Sequence, residues 1–284
     1  MLIRALLDFP SKVLRKSRAL TTQYQIAFDP EIVPPLDLML QEGIDVLEEW
    51  FRWGNEWSML LRFYGNIKSE SSILEIGCGL GRTAFPLRYI LSSKGSYDGF
   101  EICQNKVDFL NHTFHRQYPN FRFGCADVHN TFYNPLGTVK PGEYRFPYDD
   151  ATFDIVYAAS VFTHMLPETT AHYFCEAARV LKPGGRALFS FFFFDSYLKN
   201  HPRPHGFSRP AFNFDYPYGN YGDLFAIAVP GNPERMTAYR LQLLEHFAAK
   251  AKLDMAVEPV RGLWSGTIDA SMGAQDLLVL AKSA

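Results

Sequence analysis

Three glycines at alternate positions, Gly77, Gly79 and Gly81, follow an acidic residue, Glu75, in the run LEIGCGLGR from Leu74 to Arg82. Residues of these types at this spacing act through the backbone, because a glycine turn lets a ligand approach main-chain N–H groups closely. Ile73 to Ile76 reads as the end of a buried strand, and Arg82 onward as a helix. A strand, a glycine turn and a helix in that order present N–H groups, including that of Cys78, to a polar ligand. The spacing then selects the ligand. A dinucleotide fingerprint, G-x-G-x-x-G, counted from Gly77 would need its third glycine at position 82, where Arg82 stands. What occurs instead is acidic-x-G-x-G-x-G, with the Glu75 carboxylate at the strand end.

Other carboxylates fall where strands should end. Gly95 to Cys103 reads as a second strand closing on Glu101, which is placed to accept hydrogen bonds from ribose hydroxyls, with Ile102 beside it. Phe121 to Val128 is an apolar run closing on Ala126, Asp127 and Val128. Asp149 to Met165 reads as a loop, a buried FDIV strand and a strand-end loop holding Ala159 and Ser160. Arg179 to Phe194 reads as a helix end, the KPGG turn and a very apolar strand. In this order the segments resemble the class I S-adenosylmethionine (SAM) dependent methyltransferases, over about residues 71–194 and more loosely at the C-terminus. The resemblance implies SAM as cofactor, with Glu75 facing its aminoacyl end, Glu101 its ribose and Asp127 its adenine amino group.

Methyl transfer from a sulfonium needs alignment and desolvation, and a hydroxyl acceptor also needs a base. His164, in SVFTHM just beyond the fourth strand, is the first candidate, against the plainer reading that it packs on the cofactor or holds a loop. Asp195, after four phenylalanines at the tip of the fifth strand, is the second, against a helix cap or a lid salt bridge. No carboxylate cluster follows the fourth strand, so no metal is expected. The Asn/Asp-Pro-Pro-aromatic motif of amino-group DNA methyltransferases is missing, and so is a Pro-Cys nucleophile. A nicotinamide-binding protein and a SAM-binding module without transfer activity are the alternatives, as is N- or C-methylation in place of O-methylation.

The elements that must hold these groups alternate. Phe85–Leu91, Val107–His115 and Pro167–Leu181 read as helices between the strands, and Asn232–Lys250 as a later helix. The expected fold is therefore α/β: a doubly wound, seven-stranded, mostly parallel sheet, with order 3-2-1-4-5-7-6 implied by the family. Residues 1–70 read as a helical extension and residues 71–284 as the cofactor-binding domain. In the extension, Val46, Trp50, Trp53 and Trp57 recur at helical steps, a core stripe or a pocket wall. Residues 196–233 break the alternation with six prolines and eight aromatics, and read as a lid over the acceptor.

Composition sets the outer limits. Net charge is −2, while the first 20 residues carry five basic groups and one acidic, so no nucleic-acid footprint covers the whole surface. That basic start reads as a helix over the cleft, with membrane-surface contact as the lesser reading. Four cysteines without C-x-x-C pairing read as buried thiols of a cytoplasmic protein. A small amphipathic acceptor is expected, no apolar run is long enough to span a membrane, and a homodimer is open.

Overall fold

The computed structural model describes residues 29–196 and 213–284. The basic N-terminal segment and residues 197–212 of the aromatic insertion lie outside the described residues. Pro34–Ala284 forms one compact unit, so the helices before residue 70 belong with the sheet.

Two helices come first, α1 (Leu36–Gln41) and α2 (Leu47–Phe63). Trp50, Trp57, Leu60 and Leu61 fall on one buried face of α2, while Glu48 and Glu49 in its first turn and Arg62 in its last complement the helix dipole. The sheet then begins: β1 (Ser72–Ile76), the short α3 (Ala84–Leu87), β2 (Ser96–Glu101), α4 (Gln104–Leu110), β3 (Phe121–Cys125) and β4 (Phe153–Ala158). Helix α5 (Pro167–Val180), with Pro167 in its first turn where its missing N–H costs nothing, leads into β5 (Leu181–Phe191). Three short strands follow, β6 (Tyr216–Pro217), β7 (Phe225–Ile227) and β8 (Thr237–Tyr239). Then come α6 (Leu241–Lys250), β9 (Leu253–Met255) and β10 (Asp276–Lys282).

The main sheet has the order β3-β2-β1-β4-β5-β10-β9. Setting aside the small β6-β7-β8 sheet, this is the expected 3-2-1-4-5-7-6. β1 pairs in parallel with both β2 and β4, so strand order reverses beside it, and a crevice opens at the strands' C-terminal ends. β10 runs antiparallel to β5 and β9. The central strands read as nearly unbroken apolar runs because both faces are covered. Phenylalanines pack in and against these strands: Phe162, Phe174, Phe189 and Phe191 are fully buried, and Phe162 stacks on Phe191 at 5.1 Å.

Several boundaries differ from the sequence reading. The helix expected from Arg82 is reduced to the four residues of α3, and the one expected over residues 232–250 starts only at Leu241, with β8 preceding it. The described part of the presumed lid, from Asn213, pairs its own strands and packs Phe214 on Phe192 and Trp264. Cys125 is exposed, not buried. Among the described residues, no helix is long and apolar enough to cross a membrane.

Candidate active site

The glycine turn after β1 is held in the left-handed region, with φ of 69° at Gly77 and 51° at Gly79, which favours glycine at both. Space adds a second requirement. A Cβ on Gly79 would overlap Oε1 of Glu42 and stand 3.2 Å from its carboxyl carbon. The turn's N–H groups point inward to a greater degree than expected. Those of Gly77 and Cys78 donate to the Phe100 carbonyl at 2.9 and 3.0 Å, and that of Gly81 to Cys78 at 2.9 Å. The Gly79 N–H donates to Glu101 Oε2 at 3.0 Å. The turn is thus stitched to the tip of β2, and a ligand would meet its carved surface, not a row of free amides.

Glu101 is fixed by three donors, because Oε1 also accepts from the N–H groups of Ile102 (2.9 Å) and Cys103 (3.1 Å). Its carboxylate is therefore preorganised at the end of β2 without help from a ligand. Glu75 behaves differently. It is buried beneath the turn, outside the cavity wall, and its Oε2 accepts from the hydroxyls of Tyr97 and Tyr157, the latter at 2.7 Å. Burial pushes its carboxyl up to about 7, against the pull of the two tyrosines and Arg82. The expectation that Glu75 faces the ligand is corrected on this ground: its side chain is used inside the sheet.

A cavity of about 590 Å³ runs from this turn across the ends of β1, β2, β4 and β5. Gly77, Cys78, Gly79, Glu101, Ile102 and Val128 lie along its cofactor side, with Arg82, Ala159, Ser160 and His164 further in. Gly81 and Ala126 support the turn and β3 from outside it. Asp127 faces an adjoining cavity of about 560 Å³ that shares Ile102 and Tyr133 with the first. Its carboxylate accepts from the backbone N–H of Thr138 at 3.2 Å and from the Thr138 hydroxyl.

Ser160 is in the left-handed region, φ 64°, unusual for a residue with a side chain. Its N–H donates to Ser190 Oγ and its Oγ accepts from Gln275 Nε2, both at 2.8 Å, so β5 and the loop before β10 hold the bend. Nδ1 of His164 lies 3.2 Å from the Glu234 carbonyl, which can only accept, so Nδ1 carries the proton and Nε2 is left as the basic nitrogen. Burial lowers its pKa, with the backbone carbonyls of Glu234 and Arg235 opposing. Asp195 is outside the cavity and exposed. Its Oδ2 accepts from the Leu241 N–H at 2.7 Å, capping α6, and its Oδ1 lies 3.5 Å from Arg240. Asp195 is therefore a helix cap, not a base.

The far wall comes from α2 and the loop before β10, not from the described part of the aromatic insertion. Trp53, Trp57, Phe192 and Trp264 all line it. Glu56, one turn from Trp53 and beside Trp57, carries a carboxylate into this wall, where its Oε1 accepts from Ala274 N–H at 3.0 Å. Burial raises its pKa, with the Ala274 N–H, Arg82 and Arg52 opposing. Arg82 donates to the Ala159 carbonyl at 3.3 Å and lies over Trp53. The sequence reading missed Glu56, although a carboxylate inside an aromatic helical stripe was a readable signal. It also missed Glu42 and Lys106, for which only the fold gives a signal. Among the described residues there is no group of three or more His, Cys, Asp or Glu that could hold a metal ion.

A methyltransferase-domain family matches residues 73–185, the stretch that contains the turn, Glu101 and β4. Residues 73–185 belong to this methyltransferase-domain family, in keeping with the class I SAM-dependent resemblance of the sequence. The chain is 28% identical to the O-methyltransferase cnsE of Penicillium expansum over 54% of its own length and 48% of that protein. It is 29% identical to the tRNA N(3)-cytidine methyltransferase METTL2 of Gallus gallus over 44% of its length and 31% of that one. It therefore spans about half or less of the curated relatives it matches. Its fold is similar to that of the 1,6-didemethyltoxoflavin-N1-methyltransferase of Burkholderia thailandensis, solved with S-adenosylhomocysteine, at a TM-score of 0.51 and 14% identity, covering 87% of this chain and 84% of that one. SAM is the cofactor that the family implies, and the carboxylate fixed at the β2 tip by three backbone N–H groups fits its ribose hydroxyls.

Proposed function

We propose that this methyltransferase acts on an oxygen of a small amphipathic molecule lodged between α2 and the loop before β10. The carrying observation is the single cavity of about 590 Å³ that joins the Gly79–Glu101 region to a wall of tryptophans and phenylalanine. A flat or apolar acceptor with few polar groups suits such a wall. SAM, when bound, supplies an electrophilic methyl on a sulfonium. Glu101, Ile102 and Val128 would hold its nucleoside end, and the Gly77–Gly79 turn would bound the remainder. His164 Nε2 takes the hydroxyl proton, since Nδ1–H is spent on the Glu234 carbonyl and burial keeps the ring neutral near pH 7. Trp53 and Trp57 exclude water and Glu56 accepts a hydrogen bond from a polar group of the acceptor.

Glu56 also favours a second reading, N-methylation, because a carboxylate flanked by tryptophans suits an amine. Incubation with methyl-labelled SAM and fractionated cell extract, followed by identification of the labelled product, separates these readings. An O-methylated metabolite supports the first and an N-methylated one the second. Labelled RNA as the sole product would overturn both. Replacing His164 with Ala should lower kcat by about 10²–10⁴-fold while SAM affinity stays close to wild type. Parallel loss of affinity would make His164 a packing residue.

A further inference from the structure

One buried ion pair in the Gly79–Glu101 part of the cavity joins two residues that the sequence reading did not single out. Glu42 follows α1 as its C-terminal cap residue and reaches over the glycine turn. Its Oε1 lies 3.2 Å from Lys106 Nζ on α4, with only 13% and 5% of the two side chains exposed. A second tie runs beside it, from Asn105 Nδ2 to Gln41 Oε1 at 3.0 Å. The Tyr133 ring lies over the ammonium, 5.8 Å from Nζ. Both charged residues line the same cavity as Gly79 and Glu101.

Charge makes the placement consequential. Burial pulls the Lys106 ammonium down, but Glu42 and Glu101 more than reverse this, so its pKa stands above the usual lysine value. The groups gathered around Gly79 are thus two carboxylates, Glu42 and Glu101, and one ammonium, a surplus of one negative charge. SAM carries a sulfonium, an ammonium and a carboxylate, a surplus of one positive charge. S-adenosylhomocysteine, the product left after transfer, has a neutral thioether and no net charge. A site with a negative surplus therefore favours the substrate form of the cofactor over its product form, and a buried location keeps solvent from screening the difference.

We propose that Glu42 and Lys106 are cofactor-site residues whose ion pair sets the charge around Gly79 and so tunes the discrimination between SAM and S-adenosylhomocysteine. Lys106 holds the Glu42 carboxylate over the turn and offsets one of the two negative charges. Without Lys106 the surplus doubles. Without the Glu42 charge it vanishes. A pair that only fastened α1 to α4 would affect both cofactor forms alike.

Isothermal calorimetry of the full chain with SAM and with S-adenosylhomocysteine gives the ratio of the two dissociation constants. For Glu42→Gln, preference for SAM should fall by about fivefold to tenfold, and for Lys106→Met it should rise by a similar factor, as expected for one unit charge several ångströms away in a partly buried site. The exchanged pair, Glu42→Lys with Lys106→Glu, keeps the total charge and should hold the preference within about twofold of wild type. Thermal melts identify any variant that fails to fold, and the sign of the shift in the remaining single variant then decides. Shifts in the same direction for both single variants would overturn the proposal. So would a preference unchanged within about twofold in either folded single variant, which would leave the pair a fastening of α1.

Discussion

Gly54 lies near the middle of α2, where glycine ordinarily weakens a helix by about 1 kcal/mol relative to alanine. Local propensity alone therefore has Gly54→Ala stabilise the protein. The tertiary structure reverses the sign. A Cβ at this position would lie well inside 3.0 Å of the Arg82 carbonyl oxygen and 2.9 Å from its carbon. Both atoms are backbone, in the residue that follows the glycine turn, so no side chain can rotate away. Helix α2 must retreat by about 1 Å, and overpacking of this kind costs about 1–3 kcal/mol. Set against the helical gain, the net effect is destabilisation by up to about 2 kcal/mol. The same retreat moves Trp53, Glu56 and Trp57 away from the cavity, and a displacement of about 1 Å in positioning groups can lower turnover by about 10²-fold. Urea denaturation and a methyl-transfer assay with labelled SAM check the two effects separately, with Gly142→Ala, a site with nothing within 4 Å of the new Cβ, as control. A Gly54→Ala protein more stable than wild type, with turnover intact, would refute the reasoning.

Three further outcomes follow from the buried carboxylates. Glu101→Ala should weaken SAM binding by about 1.5–3 kcal/mol in calorimetry, because the charged acceptor is lost and three backbone N–H groups lose their partner. Asp276 accepts from the N–H groups of Gly262 and Phe193 and from Trp264 Nε1, so Asp276→Ala should cost about 3 kcal/mol or more on urea denaturation and quench or shift tryptophan fluorescence as Trp264 loosens. Glu75 has a folded pKa raised from 4.5 to about 7, so the unfolded chain releases its proton first as pH rises. Wild type should lose stability relative to Glu75→Gln between those two values, and parallel pH profiles for the two proteins would exclude the buried carboxyl as the cause.

The sequence alone determined whatever depends on neighbours along the chain. Alternation of apolar runs with helical stripes specified the parallel sheet, and acidic-x-G-x-G-x-G with Glu101 twenty residues on specified the cofactor, because the turn and the β2 tip are each local structures. Boundaries slipped where tertiary pairing competed with propensity, as at β8, where a helix was expected until Tyr239 paired with Phe225. The roles of individual carboxylates were decided only in three dimensions. Glu75 and Glu101 both end strands, yet one is enclosed by two tyrosines and the other lines the cavity, a difference set by which neighbouring strand supplies the donors. Asp195 became a helix cap because α6 starts against it. Glu56 meets Ala274 from 218 positions away, and Glu42 meets Lys106 only because α1 folds across the turn. Such contacts join segments whose separation in sequence has no period to detect, and the charge of a site is the sum of exactly those contacts.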